Sequence, residues 1–192
     1  NGSIISRYMH HESLIIQDTP LGRGVFATDE ISPGAFLIEM TGKTMNPEDI
    51  PSVAARSILD HYIQCAPNKF LGPSGDFDDI FNHSCDPNAG LFFENGKIII
   101  RTIRTIAAGE EIFFDYSTVI TNDPFVMKCS CATTLCRGKV AAFKTLPKKT
   151  RDRYIQLGMV QSYVIESCKT VTREKKARNH FFPISQSQTV NA

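Results

Sequence analysis

Four cysteines constrain which segments of this chain meet. Cys129, Cys131 and Cys136 lie within eight residues of one another, whereas Cys85 stands alone well before them. Tetrahedral zinc sites use four thiolates at about 2.3 Å from the metal, and short loops between ligands lose little entropy on closing. The spacing therefore favours zinc bound by all four cysteines. Disulfides are the alternative, and they are disfavoured because the sequence shows no secretory signal and is long enough to fold without covalent staples.

Cys85 belongs to a dense run of polar residues, Phe81–Asn88, which has apolar neighbours on both sides. Asparagine, histidine, serine and aspartate rarely cluster in such surroundings unless their hydrogen bonds are satisfied, because an unpaired buried polar group costs about 1–3 kcal/mol. The partners are either the backbone, as in Asx turns and proline-containing corners, or a bound ligand. The run alone does not decide between a structural turn and a binding site.

The composition is that of a globular protein. The chain has 192 residues, of which 42% are hydrophobic and 21% charged, which is enough for one core with an appendage. No apolar run approaches the roughly 20 residues of a membrane span, and no basic segment followed by an apolar one marks a targeting signal at the start. We therefore expect an intracellular protein without a membrane partner.

Charge is distributed unevenly along the sequence. Residues 1–136 carry 9 Lys and Arg against 17 Asp and Glu, a net charge of −8, whereas residues 137–192 carry 12 against 3, a net charge of +9. An acidic body favours a basic partner, and a basic C-terminal part favours nucleic acid or another polyanion. The alternative is that the basic part packs on the acidic body of the same chain.

Short apolar runs separated by glycine- and proline-containing turns indicate antiparallel β-structure. The turn at Gly22–Gly24 lets a backbone pass close to a ligand or to another strand. Helical spacing from Asn46 to Cys65 predicts one helix between strands, and the spacing from Tyr154 to Cys168 predicts an amphipathic C-terminal helix. The predicted strands are residues 13–17, 25–27, 35–40, 90–94, 97–103 and 111–114.

Three motifs, in this order along the chain, resemble the SET-domain protein lysine methyltransferases. They are Asn82–Asn88 (NHSCDPN), Gly109–Tyr116 (GEEIFFDY) and Cys129–Gly138 with its three cysteines. Two further segments, Gly22–Ala27 and Glu39–Gly42, fall where that family has its first two motifs. The resemblance covers roughly residues 12–141.

The resemblance implies a mainly β fold of small curved sheets, with a small helical insert at residues 45–75 and a C-terminal segment threaded as a pseudoknot. It places a SET domain at residues 12–120 and a post-SET zinc segment at residues 121–141. Residues 142–192 lie outside it, as a basic helical extension and tail. No cysteine-rich pre-SET cluster precedes residue 12.

The resemblance also implies which residues form the site. The tyrosine of the second motif, Tyr116, would point its hydroxyl at the transferring methyl group and the lysine amine. Four residues would contact S-adenosylmethionine: Arg23, Gly24, Asn82 and His83. Four would bind zinc, in agreement with their spacing: Cys85, Cys129, Cys131 and Cys136.

The implied activity is S-adenosylmethionine-dependent methylation of a lysine in a protein, with a histone tail as the favoured substrate and the nucleus favoured over the cytoplasm. Phe114 stands where family members carry Phe or Tyr, and Phe favours a di- or trimethyl product. The alternatives are a non-histone substrate, or a catalytically weak SET module that serves as an interaction platform. Two departures affect the expected channel: Met40 replaces a tyrosine found in many members, and Asp79 replaces an arginine.

Overall fold

The fold is built from short β-strands followed by two C-terminal helices. The computed structural model describes residues 10–20, 22–50, 62–121 and 126–169. The strands in these ranges are β1 (Leu14–Thr19), β2 (Gly22–Ala27), β3 (Phe36–Met40), β4 (Thr44–Met45), β5 (Ile63–Ala66), β6 (Lys69–Leu71), β7 (Asn82–His83), β8 (Ala89–Glu94), β9 (Lys97–Thr102), β10 (Phe113–Phe114), β11 (Val126–Lys128) and β12 (Lys139–Ala141). The helices are α1 (Lys148–Gln156) and α2 (residues 162–169), and short 3-10 helices cover Pro47–Asp49, Phe77–Ile80, Tyr116–Val119 and Phe143–Thr145. No helix within these ranges is long and apolar enough to cross a membrane.

The described strands form several small sheets rather than one large sheet. The central sheet has the order β3-β9-β8, and β4-β6-β5 forms a second three-stranded sheet. The two-stranded sheets pair β1 with β2, β11 with β12 and, in parallel, β7 with β10. This arrangement confirms the predicted mainly β fold of small sheets. The pseudoknot and the domain boundaries stay predictions.

The hairpin between β8 and β9 shows how local sequence sets the strand pairing. Asn95 and Gly96 have φ angles of 51° and 77°, the left-handed conformation that a tight two-residue turn requires. The turn fixes a register in which Leu91 lies opposite Ile100. Both side chains are fully buried, so the register directs the apolar face of the hairpin into the core.

The main core brings the site segments together. It contains the inward-facing aliphatic side chains of β2, β3, β8 and β9, and each such side chain contributes about 1.5–3 kcal/mol when it is fully buried. Phe81, just before β7, and Phe114, in β10, belong to the same core. Their burial holds the two short strands side by side and thereby positions the polar residues that follow each of them.

The predicted helix from Asn46 to Cys65 lies only partly within the described residues. Its middle, residues 51–61, falls outside them. Its start is the 3-10 helix at Pro47–Asp49, and its end is strand β5, which pairs with β6. A helix that continues to Cys65 is therefore wrong, because the backbone hydrogen bonds to β6 outweigh the local helical spacing.

The predicted single C-terminal helix is also wrong, because two helices replace it. After α1, Gly158 adopts a φ of 75°, and the Met159 N–H donates to the Tyr154 carbonyl at 3.2 Å across the turn. A glycine in this conformation ends a helix at low cost. The chain then begins α2 at residue 162. The break lets one tyrosine from each helix, Tyr154 and Tyr163, reach a different part of the β body.

Candidate active site and cysteine cluster

The parallel pairing of β7 with β10 places Tyr116 beside the polar run. Phe114 lies opposite His83, and Tyr116 is the second residue after the end of β10. The Tyr116 hydroxyl donates a hydrogen bond of 2.8 Å to the backbone carbonyl of Phe81. Its ring lies 4.9 Å from that of Phe114, at an interplanar angle of 45°. The Phe81 carbonyl therefore fixes the direction of the hydroxyl proton. The lone pairs of the Tyr116 oxygen point away from that carbonyl and can accept hydrogen bonds.

His83 is committed to internal contacts. The backbone N–H of Tyr116 donates to His83 Nδ1 at 3.2 Å, so Nδ1 is the unprotonated nitrogen of the ring. His83 Nε2 lies 3.4 Å from the Cys85 Sγ. Burial, with the nearby Arg137, lowers the pKa of His83 to about 4, although Asp115 opposes the shift. The imidazole is thus neutral at physiological pH and links the tyrosine to the cysteine cluster.

Asn82 joins β7 to the glycine-containing strand β2. Its Nδ2 donates to the Arg23 carbonyl at 2.8 Å and to Glu111 Oε1 at 2.7 Å. Gly24 lies directly against this pair, since a Cβ there would collide with Glu111 Oε1 and come within 3.1 Å of Asn82 Nδ2. The close approach of Gly24 is therefore to another part of the chain. Glu111 was missed from the sequence, although it belongs to the second motif.

A groove of about 270 Å³ opens beside Arg23. Its lining includes the apolar side chains of Ile16 and Ile80 together with Asp79. The Asp79 carboxylate accepts the N–H of Ser74 at 3.1 Å and that of Gly75 at 2.7 Å, so it shapes the loop before β7. Asp79, which stands where many SET-domain proteins have an arginine, is thus bonded to the backbone of Ser74 and Gly75.

Asp78 and Met40 show how the opposite side of the site is built. The buried Asp78 carboxylate accepts the Thr41 backbone N–H at 2.7 Å and the Ser74 hydroxyl, and burial raises the pKa of this carboxyl. It thereby fixes the end of β3 to the loop before β7. Met40, which precedes Thr41, is 7% exposed and lies in the main core. Sequence reasoning did not identify Asp78.

Asp115 is a completely buried carboxylate with donors from separate segments. Ser117 N donates to it at 3.0 Å, Arg137 Nη2 at 2.8 Å and the Tyr154 hydroxyl at 3.1 Å. Burial disfavours the charge of Arg137, but Asp115 raises the pKa of the guanidinium, which stays protonated. This network was also missed. Its two charged members do occur in the motifs, directly before Tyr116 and directly after Cys136.

The four predicted cysteines converge. Their Sγ atoms all lie within 4.8 Å of one another. Cys129 Sγ is 3.6 Å from Cys85 Sγ and 3.7 Å from Cys136 Sγ. A tetrahedral zinc site with Zn–S bonds of about 2.3 Å requires sulfur–sulfur distances of about 3.8 Å, whereas a disulfide requires about 2.0 Å. None of the described cysteines forms a disulfide, so that alternative is wrong for this structure.

The surroundings of the cluster act on its thiols in both directions. Burial disfavours the thiolate and raises the pKa of Cys85 and of Cys129. Burial also acts on Cys131, but hydrogen bonds from Thr133 and its neighbours outweigh it and lower the pKa of that thiol to about 6. The backbone N–H of Arg137 points at Cys85 Sγ from 3.4 Å. Four sulfurs within 4.8 Å of one another, with a backbone donor aimed at Cys85, are a ligand set that suits zinc.

Comparison with known proteins agrees with this geometry. The family model of the SET domain matches residues 22–117. A histone-lysine N-methyltransferase, H3 lysine-4 specific, of Cryptococcus neoformans var. neoformans serotype D is 42% identical over 130 residues, which cover 61% of this chain and 9% of that protein. The histone-lysine N-methyltransferase ASHH2 of Arabidopsis thaliana is 25% identical over 130 residues, covering 62% and 7%. The histone-lysine N-methyltransferase mes-4 of Caenorhabditis elegans is 28% identical over 145 residues, covering 64% and 16%.

The chain thus spans less than a fifth of the length of each of these relatives. The matched segment runs from the start of β2 through Tyr116 and contains Cys85, whereas the cysteines at 129–136 lie beyond it. It holds the polar run, the parallel strand pair and the tyrosine, which together make the candidate site. Because the family model matches residues 22–117, half of the 192-residue sequence, this chain belongs to the SET domain family.

Proposed function

We propose that this chain transfers methyl groups from S-adenosylmethionine to a lysine side chain of a protein, with a histone tail as the favoured substrate. The observation that carries the proposal is Tyr116, whose hydroxyl is aimed by the Phe81 carbonyl at 2.8 Å within the segment that matches the SET domain. The relatives are named histone-lysine N-methyltransferases, which supports the substrate class and a nuclear location. The acidic composition of residues 1–136 suits a basic substrate.

The reaction requires a neutral lysine amine. With an unperturbed pKa of about 10.4, deprotonating the amine at pH 7 costs roughly 4–5 kcal/mol. When bound, S-adenosylmethionine would supply a methyl group on a cationic sulfonium. The neutral amine would take that methyl, the sulfur would keep the bonding electrons as a thioether, and the methylated ammonium would then release one proton to solvent. An apolar channel lowers the pKa of the lysine by desolvation. Phe114, which is buried against Tyr116, contributes to that apolar surface.

Tyr116 acts by orientation rather than by proton transfer. Because its proton is donated to the Phe81 carbonyl, the oxygen can meet a polarised methyl group with lone pairs. Weak C–H hydrogen bonds of this kind align a methyl group for in-line attack, and alignment of reactants is a large part of catalysis. The rings of His83 and Phe114, whose centroids lie 5.3 and 4.9 Å from that of Tyr116, keep the tyrosine ring in one orientation.

The cofactor would lie along β2 and β7, next to the groove beside Arg23. Asn82 and the backbone of Arg23 and Gly24 form one continuous polar edge, joined by the Asn82–Arg23 hydrogen bond. The imidazole of His83 is occupied by Tyr116 N and Cys85 Sγ, so we assign its cofactor contact to the backbone. This assignment refines the role that the resemblance implied for His83.

Gly24→Ala should weaken S-adenosylmethionine binding about tenfold, which corresponds to about 1.4 kcal/mol. The added methyl group collides with Glu111 Oε1, and moving that carboxylate breaks its 2.7 Å bond to Asn82. Calorimetric titration with S-adenosylmethionine measures the change, and thermal unfolding shows whether the variant stays folded. An unchanged Kd in a folded variant would contradict the placement of the cofactor at this edge.

We further propose that Cys85, Cys129, Cys131 and Cys136 bind zinc and that the segment they close is a post-SET segment. The support is the convergence of four sulfurs within 4.8 Å of one another and the Arg137 N–H that points at Cys85 Sγ. Zinc here would contribute folding free energy and would fix Arg137, whose guanidinium bonds to Asp115. Residues 129–136 would thereby be tied to the residue that precedes Tyr116.

Phe114 should determine how many methyl groups are added. A tyrosine at this position would hold a water molecule by hydrogen bonding, whereas phenylalanine leaves that space for further methyl groups. We expect di- or trimethyl-lysine from the wild type, and a shift toward monomethyl-lysine for Phe114→Tyr. Mass spectrometry of a peptide substrate under excess S-adenosylmethionine decides between these outcomes.

Phe113→Tyr is the matched control, because adjacent residues of a strand face opposite sides, and Phe113 is half-buried whereas Phe114 is buried. It should leave the product distribution as in the wild type. A wild-type enzyme that stalls at one methyl group would show the assignment of Phe114 to be wrong.

The positive charge of residues 137–192 is explained partly by packing on the chain itself and partly by a proposed polyanionic partner. Of its basic residues, Arg137 pairs with Asp115 and Arg151 donates to the Lys144 carbonyl, so packing on the chain itself accounts for some of them. Residues 170–192 lie outside the described ranges. For the positive charge as a whole, nucleic acid or another polyanion remains our proposed partner.

Calorimetry with S-adenosylmethionine, followed by transfer of labelled methyl groups to mixed histones and to a cell extract, tests the function. Label on histones supports the proposal, and label only on other proteins indicates a non-histone substrate. Cofactor and histone binding without transfer would favour the interaction platform. Absence of both cofactor binding and transfer would overturn the proposal.

A further inference from the structure

The buried carboxylate of Asp115 connects the residue before Tyr116 to a helix outside the matched SET segment. Asp115 has no exposed surface, and its Oδ2 accepts the hydroxyl of Tyr154 at 3.1 Å. Tyr154 is the buried residue of α1, which begins 31 positions beyond the end of the match at residue 117. A buried carboxylate is costly unless donors satisfy it, so each donor to Asp115 influences where the carboxylate points.

Tyr154 is placed by packing rather than by chance contact. It is 1% exposed and belongs to a second hydrophobic cluster that also contains Phe143, Leu146 and Met159. Burial, together with the Asp115 carboxylate, raises the pKa of Tyr154, so the hydroxyl keeps its proton and acts as a donor. The ring is therefore held rigidly, and its hydroxyl is a fixed donor to Asp115.

The position of the Asp115 carboxylate affects the site through the His83 imidazole and the Tyr116 backbone. Asp115 Oδ1 lies 3.6 Å from His83 Nδ1, which instead accepts the backbone N–H of Tyr116 at 3.2 Å. As long as Tyr154 and Arg137 hold the carboxylate, His83 remains paired with Tyr116. If the Tyr154 hydroxyl is removed, the carboxylate loses one of its donors, and a shift of its Oδ1 toward Nδ1 would repel the imidazole and disturb that pair, because both atoms are acceptors.

We propose that Tyr154 is a positioning residue for the reaction: through its bond to Asp115 it fixes the orientation of Tyr116, so that helix α1 is part of the catalytic unit. The inference rests on the proposed function. It differs from a purely structural role for α1 because it predicts an effect of one hydroxyl on turnover that exceeds its effect on stability.

Tyr163 provides a matched control within the same extension. It is a tyrosine on α2, its pKa is likewise raised by burial, and its hydroxyl donates to a backbone carbonyl, that of Gln64, at 2.6 Å. Its hydroxyl is thus bonded to the backbone of β5 rather than to Asp115. Tyr154→Phe and Tyr163→Phe therefore each remove one hydroxyl from the extension, the first bonded to Asp115 and the second to a backbone carbonyl.

We expect Tyr154→Phe to lower kcat about tenfold with KM for the peptide changed less than about twofold, the effect of losing one hydrogen bond to a charged group. Tyr163→Phe should lose a similar amount of thermal stability and retain kcat. Equal kcat values for the wild type and Tyr154→Phe would overturn the inference. An equal fall in kcat for both variants would do the same, because it would reveal general loosening of the extension.

A measurement without substrate separates this inference from the proposed function. The chain has five tyrosines, which can be labelled as 3-fluorotyrosine and observed by ¹⁹F NMR, with Tyr116→Phe used to assign the resonance of Tyr116. We expect the Tyr116 resonance to shift or broaden in Tyr154→Phe and to keep its position in Tyr163→Phe. If the wild type transfers no methyl group, the proposed function fails, whereas an unchanged Tyr116 resonance in Tyr154→Phe makes the positioning role wrong.

Discussion

Tyr116→Phe should reduce methyl transfer by a factor of about 100 or more and leave the fold and S-adenosylmethionine binding nearly intact. The change removes one oxygen, whose hydrogen bond to the Phe81 carbonyl is worth about 1 kcal/mol to stability. Removing one preorganised polar group from the reacting centre typically costs a factor of about 100–1,000 in kcat. The aromatic ring, which packs against Phe114, is retained.

Three measurements on the same preparation test this expectation: single-turnover methyl transfer, calorimetry with S-adenosylmethionine and thermal unfolding. Tyr163→Phe is the control, because it also removes a tyrosine hydroxyl that donates to a backbone carbonyl, at 2.6 Å from Gln64 O. It should keep wild-type turnover. A Tyr116→Phe enzyme that retains full turnover would remove Tyr116 from the catalytic role.

Sequence reasoning predicted the structure best where the cysteines and the apolar runs form short local patterns. The approach of Cys85 to Cys129, Cys131 and Cys136 followed from the count and spacing of thiols, and the structure confirms it. The strands at 13–17, 35–40 and 90–94 were found to within a few residues, because apolar runs between turn residues carry a local signal. Such local patterns remain informative in this fold, because its described sheets contain only two or three short strands each.

The partners of the motif residues could not be predicted, because they are set by packing between distant segments. Glu111 contacts Asn82 across 29 positions, and Tyr154 contacts Asp115 across 39. Nothing in the spacing of the residues distinguishes such a tyrosine from an ordinary core aromatic. The helix predicted to reach Cys65 failed for the same reason, since pairing of β5 with β6 decided the conformation.

If the four clustered cysteines bind zinc as proposed, its removal should strongly destabilise the chain. Strands β11 and β12 form a two-stranded sheet on either side of the three clustered cysteines, and Cys129 N donates to the Gly138 carbonyl at 3.1 Å between them. An isolated two-stranded hairpin is marginally stable in water. Structural zinc contributes apparent binding free energies of about 10–16 kcal/mol in small domains, so the metal would supply most of the stability of this segment.

Cys136→Ser, or treatment with a strong chelator, should therefore unfold residues 126–141 and lower the thermal midpoint of the whole chain. The effect should reach turnover, because Arg137, next to Cys136, places its guanidinium 2.8 Å from Asp115, the residue before Tyr116, for which we propose the catalytic role. Cys168→Ser is the matched control, since its thiol lies outside the cluster and donates to the Val164 carbonyl, a bond that serine can also make. Elemental analysis should find one zinc per wild-type chain. Hydrogen exchange should show that residues 126–141 open in Cys136→Ser. Purified protein that contains no zinc and holds these cysteines as disulfides would contradict the proposal.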